Sequence, residues 1–193
     1  MAVTAEEMLA EWSYPHPSLE GSHQDGATEP WVANLLRALL LARGGHPIVW
    51  ETGGFQGTTS AWLALTLEEM GGGQLCVCEI DPDRVRAIEA RLTALAPVHP
   101  MRWRVEQGDV LQTIQRCANK HIDFAWIDDD HQKHHVEQEI VALWPKMRSG
   151  GIMAFHDIDA PCYLGEVVKK YGGIALTFPK LGPAGGLGIL QVP

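Results

Sequence analysis

Short apolar runs that alternate with helical segments are the feature of this sequence that most constrains its fold. The pattern predicts strands at residues 47–50, 75–80, 101–106, 122–127, 152–155, 175–178 and 187–192, and helices at residues 29–42, 58–70, 82–95, 110–118, 136–147 and 164–171. Ser149 and Gly150 are predicted to close the helix 136–147. This alternation is typical of a doubly wound, three-layer αβα domain, in which helices cover both faces of a mostly parallel sheet.

The last two predicted strands differ from the others because only residues 179–186 join them. This connection is too short for a crossover helix, so the two strands are expected to pair antiparallel. The result is a seven-stranded sheet with an antiparallel last strand. Residues 29–193 are predicted to form this single domain, and residues 1–28, rich in Pro, His, Ser and Gly, an irregular arm.

The composition limits which ligands and which cellular location are expected for the protein. A formal net charge of −9 argues against a nucleic-acid partner, which usually needs a basic surface, and favours a small ligand or a metal cation. The four cysteines show neither zinc-site spacing nor a disulfide framework, which predicts a reducing, cytoplasmic location. The acidic N-terminal segment and the lack of a long apolar stretch predict neither a signal peptide nor a membrane span.

The loop after the first predicted strand is a candidate cofactor site. In open α/β sheets, ligands bind beyond the carboxyl ends of the strands. Glycines in this loop let the backbone approach a ligand closely, and the following helix offers unpaired N–H groups. The candidate residues for a nucleotide-like cofactor are Glu51, Gly53, Phe55, Gly57, Thr58 and Thr59. A purely structural turn is the alternative.

Two further strand ends carry acids. Glu79, with Ile80 beside it, ends the second predicted strand, where a doubly wound domain places a carboxylate on ribose hydroxyls. A solvated glutamate is the alternative there. Asp109 follows the third strand and could cap a helix, contact the amino group of a base, or do both.

The fourth and fifth strand ends carry the strongest chemical signals, IDDDH and FHDID. Neighbouring aspartates repel one another unless water or a cation screens them. Parallel strands would bring Asp128, His156 and Asp157 together as ligands of a divalent metal, Mg²⁺ or a transition metal. A solvated acidic rim is the alternative. His131 is a candidate general base, whereas His134 and His135 are predicted to be surface residues.

Taken together, these motifs resemble those of class I methyltransferases over residues 29–192. The resemblance is to the small O-methyltransferases related to catechol O-methyltransferase and to the cephalosporin-hydroxylase type of antibiotic-tailoring enzyme. ETGGFQG is similar to the E-x-G-x-x-x-G motif of that family, and CEIDPDRV to its second motif. QGD resembles the adenine-side turn, IDDDH the I-D-x-D-[HK] stretch, and RSGGIMAFHDI the K-x-G-G-x-x-x-x-D-[ND] strand.

The resemblance implies a Rossmann-like methyltransferase fold and S-adenosylmethionine (SAM) as cofactor. By this match Glu79 holds the ribose and Asp109 lies at the adenine. Asp128 binds metal, contacts the cofactor and shares the catalytic role with His131, which deprotonates the acceptor. Asp157 fits the metal site, whereas His156 replaces what is more often an acid and could instead act as a metal-free base.

The function predicted from the sequence is methyl transfer from SAM to a hydroxyl of a small molecule, assisted by a divalent metal. An NAD-dependent oxidoreductase would share the glycine loop and the role of Glu79, but it would not explain the Asp128 and Asp157 pair. A non-catalytic cofactor-binding module of the same fold is the third alternative. The oligomeric state stays open, and a homo-oligomer that completes the pocket is one alternative.

Overall fold

A seven-stranded sheet with helices on both faces forms the body of the chain. The computed structural model describes residues 28–95, 101–157, 162–178 and 186–193, so the predicted arm, apart from Thr28, lies outside the described residues. The helices are α1 (Pro30–Arg43), α2 (Thr58–Glu69), α3 (Pro82–Ala94), α4 (Val110–Thr113), α5 (Lys133–Leu143) and α6 (Cys162–Tyr171). The strands are β1 (Ile48–Thr52), β2 (Gly73–Glu79), β3 (Met101–Gln107), β4 (Ile122–Ile127), β5 (Met147–Phe155), β6 (Ile174–Phe178) and β7 (Leu187–Gln191).

The strand order is β3-β2-β1-β4-β5-β7-β6, and it confirms the predicted architecture. Strands β1 to β5 pair parallel with one another, whereas β7 runs antiparallel to both β5 and β6. The order reverses between β1 and β4, which is the position where ligands bind in open α/β sheets. This is a Rossmann-like methyltransferase fold.

Side chains that alternate along buried strands divide the core between the two faces of the sheet. Every residue of β4 is buried; Phe124 and Trp126 pack on one face, and Ala125 and Ile127 on the other. The first face is covered by α1, α2 and α3, and the second by α4, α5 and α6. None of the helices in the described part of the chain combines the length and apolarity needed to cross a membrane.

Two predicted helices end earlier in the structure than the sequence suggested. The helix predicted for residues 110–118 is α4 followed by a 3₁₀ turn, Ile114–Arg116. The helix predicted for residues 136–147 begins earlier and stops at Leu143, and a second 3₁₀ turn, Trp144–Lys146, leads into β5.

The prediction that Ser149 and Gly150 close a helix was therefore wrong, because both lie within β5. Long-range contacts extend this strand. The Gly150 N–H donates to the Val192 carbonyl, 2.9 Å between N and O, and Arg148 contacts the carboxylate of Asp123. These partners could not be predicted from the neighbouring residues, because Asp123 and Val192 are distant in the sequence.

Candidate active site

A cleft of about 690 Å³ opens at the carboxyl ends of β1 to β5, where the strand order reverses. Its walls carry seven carboxylates, one guanidinium and three imidazoles: Glu29, Glu79, Asp109, Asp128, Asp129, Asp130, Asp157, Arg84, His131, His135 and His156. Such an excess of acids focuses a negative potential inside the cleft. The cleft therefore favours a positively charged ligand over an anionic one.

The glycine loop after β1 packs directly on the segment after β4. Gly53 has a φ of +75°, and a Cβ atom built there would lie 2.2 Å from the carbonyl oxygen of Asp128. Gly57, with a φ of +78°, adopts the left-handed conformation that precedes α2. Any larger side chain at Gly53 would force the loop away from β4, since backbone atoms cannot yield at that distance. Glycine here lets the loop form one wall of the cleft.

Glu79 is fixed at the end of β2 by two backbone amides. The Phe55 N–H donates to Oε2 at 2.9 Å, and the Asp81 N–H donates to Oε1 at 3.0 Å. The residue is only 4% exposed, yet it lines the cleft. Each carboxylate oxygen has a second lone pair, so Glu79 can accept two more hydrogen bonds from a diol.

Asp109, in the turn after β3, lines the cleft together with two apolar residues. Asp109 Oδ1 accepts the Leu111 N–H at 2.8 Å, which confirms the predicted helix cap. Asp109 also lines the cleft, as do Ile80 and Val110. The Ile80 side chain is 68% exposed, so it presents apolar area to whatever occupies the cleft.

His156 lies between two carboxylates at the opposite end of the cleft. Its Nδ1 is 2.9 Å from Asp128 Oδ1, and its Nε2 is 2.8 Å from Glu29 Oε2. Burial alone would lower the pKa of His156, but the hydrogen bonds to Asp128 and Glu29 outweigh it and raise the pKa to about 10. Both ring nitrogens of His156 thus lie within hydrogen-bond distance of a carboxylate, an arrangement that favours the protonated imidazolium.

His131 and Asp157 form a second, more exposed pair beside this cluster. His131 Nε2 lies 3.6 Å from Asp157 Oδ2, and the two side chains are 42% and 38% exposed. Asp157 has a φ of +51°, an uncommon conformation for a residue with a side chain. Backbone strain of this kind is concentrated at functional sites, where the surrounding structure maintains it.

A family profile described as a methyltransferase domain matches residues 50–158, which is more than half of the chain. This chain belongs to the methyltransferase domain family. The matched region contains the glycine loop, Glu79, Asp109 and both acidic strand ends. No protein of curated function matches the sequence.

Solved structures share the fold of this methyltransferase at low sequence identity. An O-methyltransferase from Bacillus cereus, in complex with SAH, is 16% identical with a TM-score of 0.72, over 97% of this chain and 96% of that one. The O-methyltransferase TomG from Streptomyces achromogenes, involved in tomaymycin synthesis and in complex with SAM, is 21% identical with a TM-score of 0.69. That match spans 100% of this chain and 92% of TomG.

Most predicted site residues of the methyltransferase line the cleft, and the others lie behind it. Those that line it are Gly53, Phe55, Glu79, Ile80, Asp109, Asp128, His131, His156 and Asp157. Glu51, Gly57, Thr58 and Thr59 are buried and do not line it. Thr59 and Thr28 share a hydrogen bond of 2.6 Å, and the Thr28 hydroxyl also donates to Asp128 Oδ2 at 3.3 Å.

Three features of the site were not predicted from the sequence. Glu29 contacts His156 across 127 positions of sequence, which no local signal reveals. His134 is exposed as predicted, but the prediction that His135 is a surface residue was wrong: its side chain is 19% exposed and contacts Asp129. Burial, together with the charge of Asp129, raises the pKa of Glu139 to about 10. The spacing of His135 and Glu139 on one helix was the available signal.

Proposed function

We propose that this methyltransferase transfers the methyl group of SAM to a hydroxyl of a small molecule. The acidic cleft is the observation that carries the proposal. SAM has a positively charged sulfonium, which a wall of seven carboxylates attracts. NAD carries a diphosphate, which the same wall repels, so the cleft disfavours the oxidoreductase alternative.

The cofactor would lie across the ends of β1, β2 and β3. Glu79, held by two amides, is suited to accept hydrogen bonds from the ribose hydroxyls. Ile80 and Asp109 would contact the adenine, one through apolar area and one through its carboxylate. Gly53 and Phe55 would form the wall on the methionine side.

The buried residues behind this wall would support the loop rather than touch the cofactor. Thr59 reaches Asp128 through Thr28, and Arg91 donates to the Thr58 hydroxyl at 3.1 Å. Glu51, at the end of β1, and Gly57, before α2, complete this layer. Their proposed role is to keep the loop in the shape that the cofactor needs.

His131 is the proposed general base. With Nε2 towards Asp157, its Nδ1 would take the proton of the acceptor hydroxyl. As the oxygen forms its bond to the methyl carbon, the carbon–sulfur bond breaks and the sulfonium becomes a neutral thioether. The protein supplies alignment of the two reactants and a place for the proton, which accounts for most of the acceleration in such a transfer.

His156 makes close contacts with carboxylates in the proposed site, and these give it a role that needs no metal. Both nitrogens of His156 lie within hydrogen-bond distance of a carboxylate, 2.9 Å from Asp128 and 2.8 Å from Glu29. His156 is proposed to hold Asp128 and Glu29 in place, and metal assistance by Asp128, His156 and Asp157 stays a prediction.

Methyl transfer from isotope-labelled SAM to a panel of hydroxylated small molecules tests the proposal. Assays run with and without EDTA also test the predicted metal requirement. We expect label in a methylated product and loss of that product in His131→Asn. SAM binding without transfer to any member of the panel would favour the non-catalytic binding module. Oxidation of the panel with NAD, without methyl transfer, would refute the proposal.

A further inference from the structure

Two carboxylates and one imidazole form a second cluster, distinct from Asp128, His156 and Asp157. Asp129 follows β4, whereas His135 and Glu139 lie one turn apart on α5 and face the same side. One donor atom from each of the three lies within 4.8 Å of the other two. His135 Nε2 is 3.0 Å from Asp129 Oδ2 and 3.9 Å from Glu139 Oε2.

The burial of Glu139 is an independent sign that the cluster receives a ligand. Its side chain is 0% exposed, and neither carboxyl oxygen has a hydrogen-bond partner of good geometry among the described residues, although the side chains of Asp129 and Thr52 lie close to it. Asp129 Oδ1 is also buried without such a partner. Among residues 28–95, 101–157, 162–178 and 186–193, no lysine or arginine forms an ion pair with either carboxylate. A buried carboxylate is costly unless a cation or a proton neutralises it.

We propose that Asp129, His135 and Glu139 bind a divalent first-row transition metal ion. Two carboxylates with a neutral imidazole carry a charge of −2, which balances the +2 charge of the ion. Imidazole is a good ligand for zinc, cobalt and iron, whereas Mg²⁺ and Ca²⁺ prefer oxygen ligands alone. The competing state of the cluster is a proton shared between the two carboxyl groups.

A metal bound at this cluster would connect two segments in the wall of the cleft. Asp129 and His135 line the cleft, and Glu139 lies behind them on α5. A metal held by all three would join the segment after β4 to α5 in the wall of the cleft. The other coordination positions would be open to water.

Calorimetric titration of the metal-free full chain with CoCl₂ tests this site, with visible absorption of Co²⁺ as a second signal. The informative variant is Glu139→Gln, which keeps the shape of the side chain and removes its charge. Loss of an outer-shell partner alone costs about 10- to 100-fold in metal affinity, so we expect this variant to weaken Co²⁺ binding at least tenfold. Glu137→Gln is the matched control, because Glu137 lies on the same helix with a side chain 43% exposed.

The proposal is supported if the wild type and Glu137→Gln bind Co²⁺ alike and Glu139→Gln binds it at least tenfold more weakly. It is overturned if the wild type fails to bind, or if Asp157→Asn rather than Glu139→Gln abolishes binding. His135→Asn provides a second variant, and a Zn²⁺-dependent rise in Tm of the wild type provides a second measurement, should Glu139→Gln fold poorly. SAM is titrated separately into the metal-free chain, so failure of the metal site and failure of the proposed function are distinguishable.

Discussion

Replacement of Glu51 by glutamine should stabilise the methyltransferase by an amount that grows with pH. Glu51 is 0% exposed at the end of β1, and neither of its carboxyl oxygens makes a hydrogen bond of good geometry among the described residues, although the Ser60 side chain lies close to it. Burial raises the pKa of Glu51 from 4.5 to about 8; the Ser60 side chain opposes this rise, and the charges of Asp128 and Glu79 add to it. The folded state therefore prefers the protonated carboxyl.

The sign and size of the effect follow from these two pKa values. Because the folded pKa exceeds the unfolded one, the protonated carboxyl contributes its full stability below pH 4.5. That contribution is lost as the pH rises through about 8. Each pKa unit is worth about 1.4 kcal/mol, so the loss between about pH 5 and pH 8 is on the order of 3 kcal/mol. Glutamine carries no proton to lose, so the variant avoids this loss.

Urea unfolding of the cofactor-free wild type and Glu51→Gln at several pH values measures the difference directly. We expect the free energy of unfolding of the variant, relative to the wild type, to increase by roughly 3 kcal/mol from pH 5 to pH 8. Glu89→Gln, on the exposed side of α3, is the control and should show no such trend. A difference between Glu51→Gln and wild type that stays constant with pH would refute the assigned burial and charge of Glu51.

Three further predictions concern the cofactor, the base and the core. Glu79→Gln should weaken SAM binding by about 10- to 100-fold in calorimetry, because hydrogen bonds to a charged group are worth about 1.5–3 kcal/mol; a change below threefold would contradict the ribose assignment. His131→Asn should lower kcat by about 10²- to 10⁴-fold and leave the Kd of SAM unchanged, and equal losses in both would argue against a base. Asp123, 3% exposed, accepts hydrogen bonds from Arg43 and Arg148, so Asp123→Ala should cost about 3–5 kcal/mol in urea unfolding. A cost below 1 kcal/mol would mean that these contacts do not stabilise the fold.

The sheet could be predicted from the sequence because local patterns determine most of it. Strand β4 is apolar at nearly every position, and the eight-residue connection before β7 allows only an antiparallel return. The start of β5 could not be predicted, because Arg148 and Gly150 form strand through contacts with Asp123 and Val192. Those partners are distant in the sequence, so helix propensity was the only local signal.

The candidate site could also be predicted only in part. The clustering of the acids at the strand ends could be predicted from the sequence, since parallel strands bring their carboxyl ends to one edge of the sheet. The hydrogen-bond partners of His156 could not be predicted from the sequence. One of them is Glu29, which lies at the start of α1, 127 positions earlier in the chain. Likewise, His135 and Glu139 are four positions apart in the sequence, but the burial of Glu139 is a property of the packed structure.

Calorimetric titration of the purified chain with SAM, SAH and NAD tests the central claim most directly. Binding of SAM and SAH across the ends of β1, β2 and β3 predicts saturable heats with both, a large loss of affinity in Glu79→Gln, and no binding of NAD. Saturable binding of NAD with no heat from SAM or SAH would contradict the account.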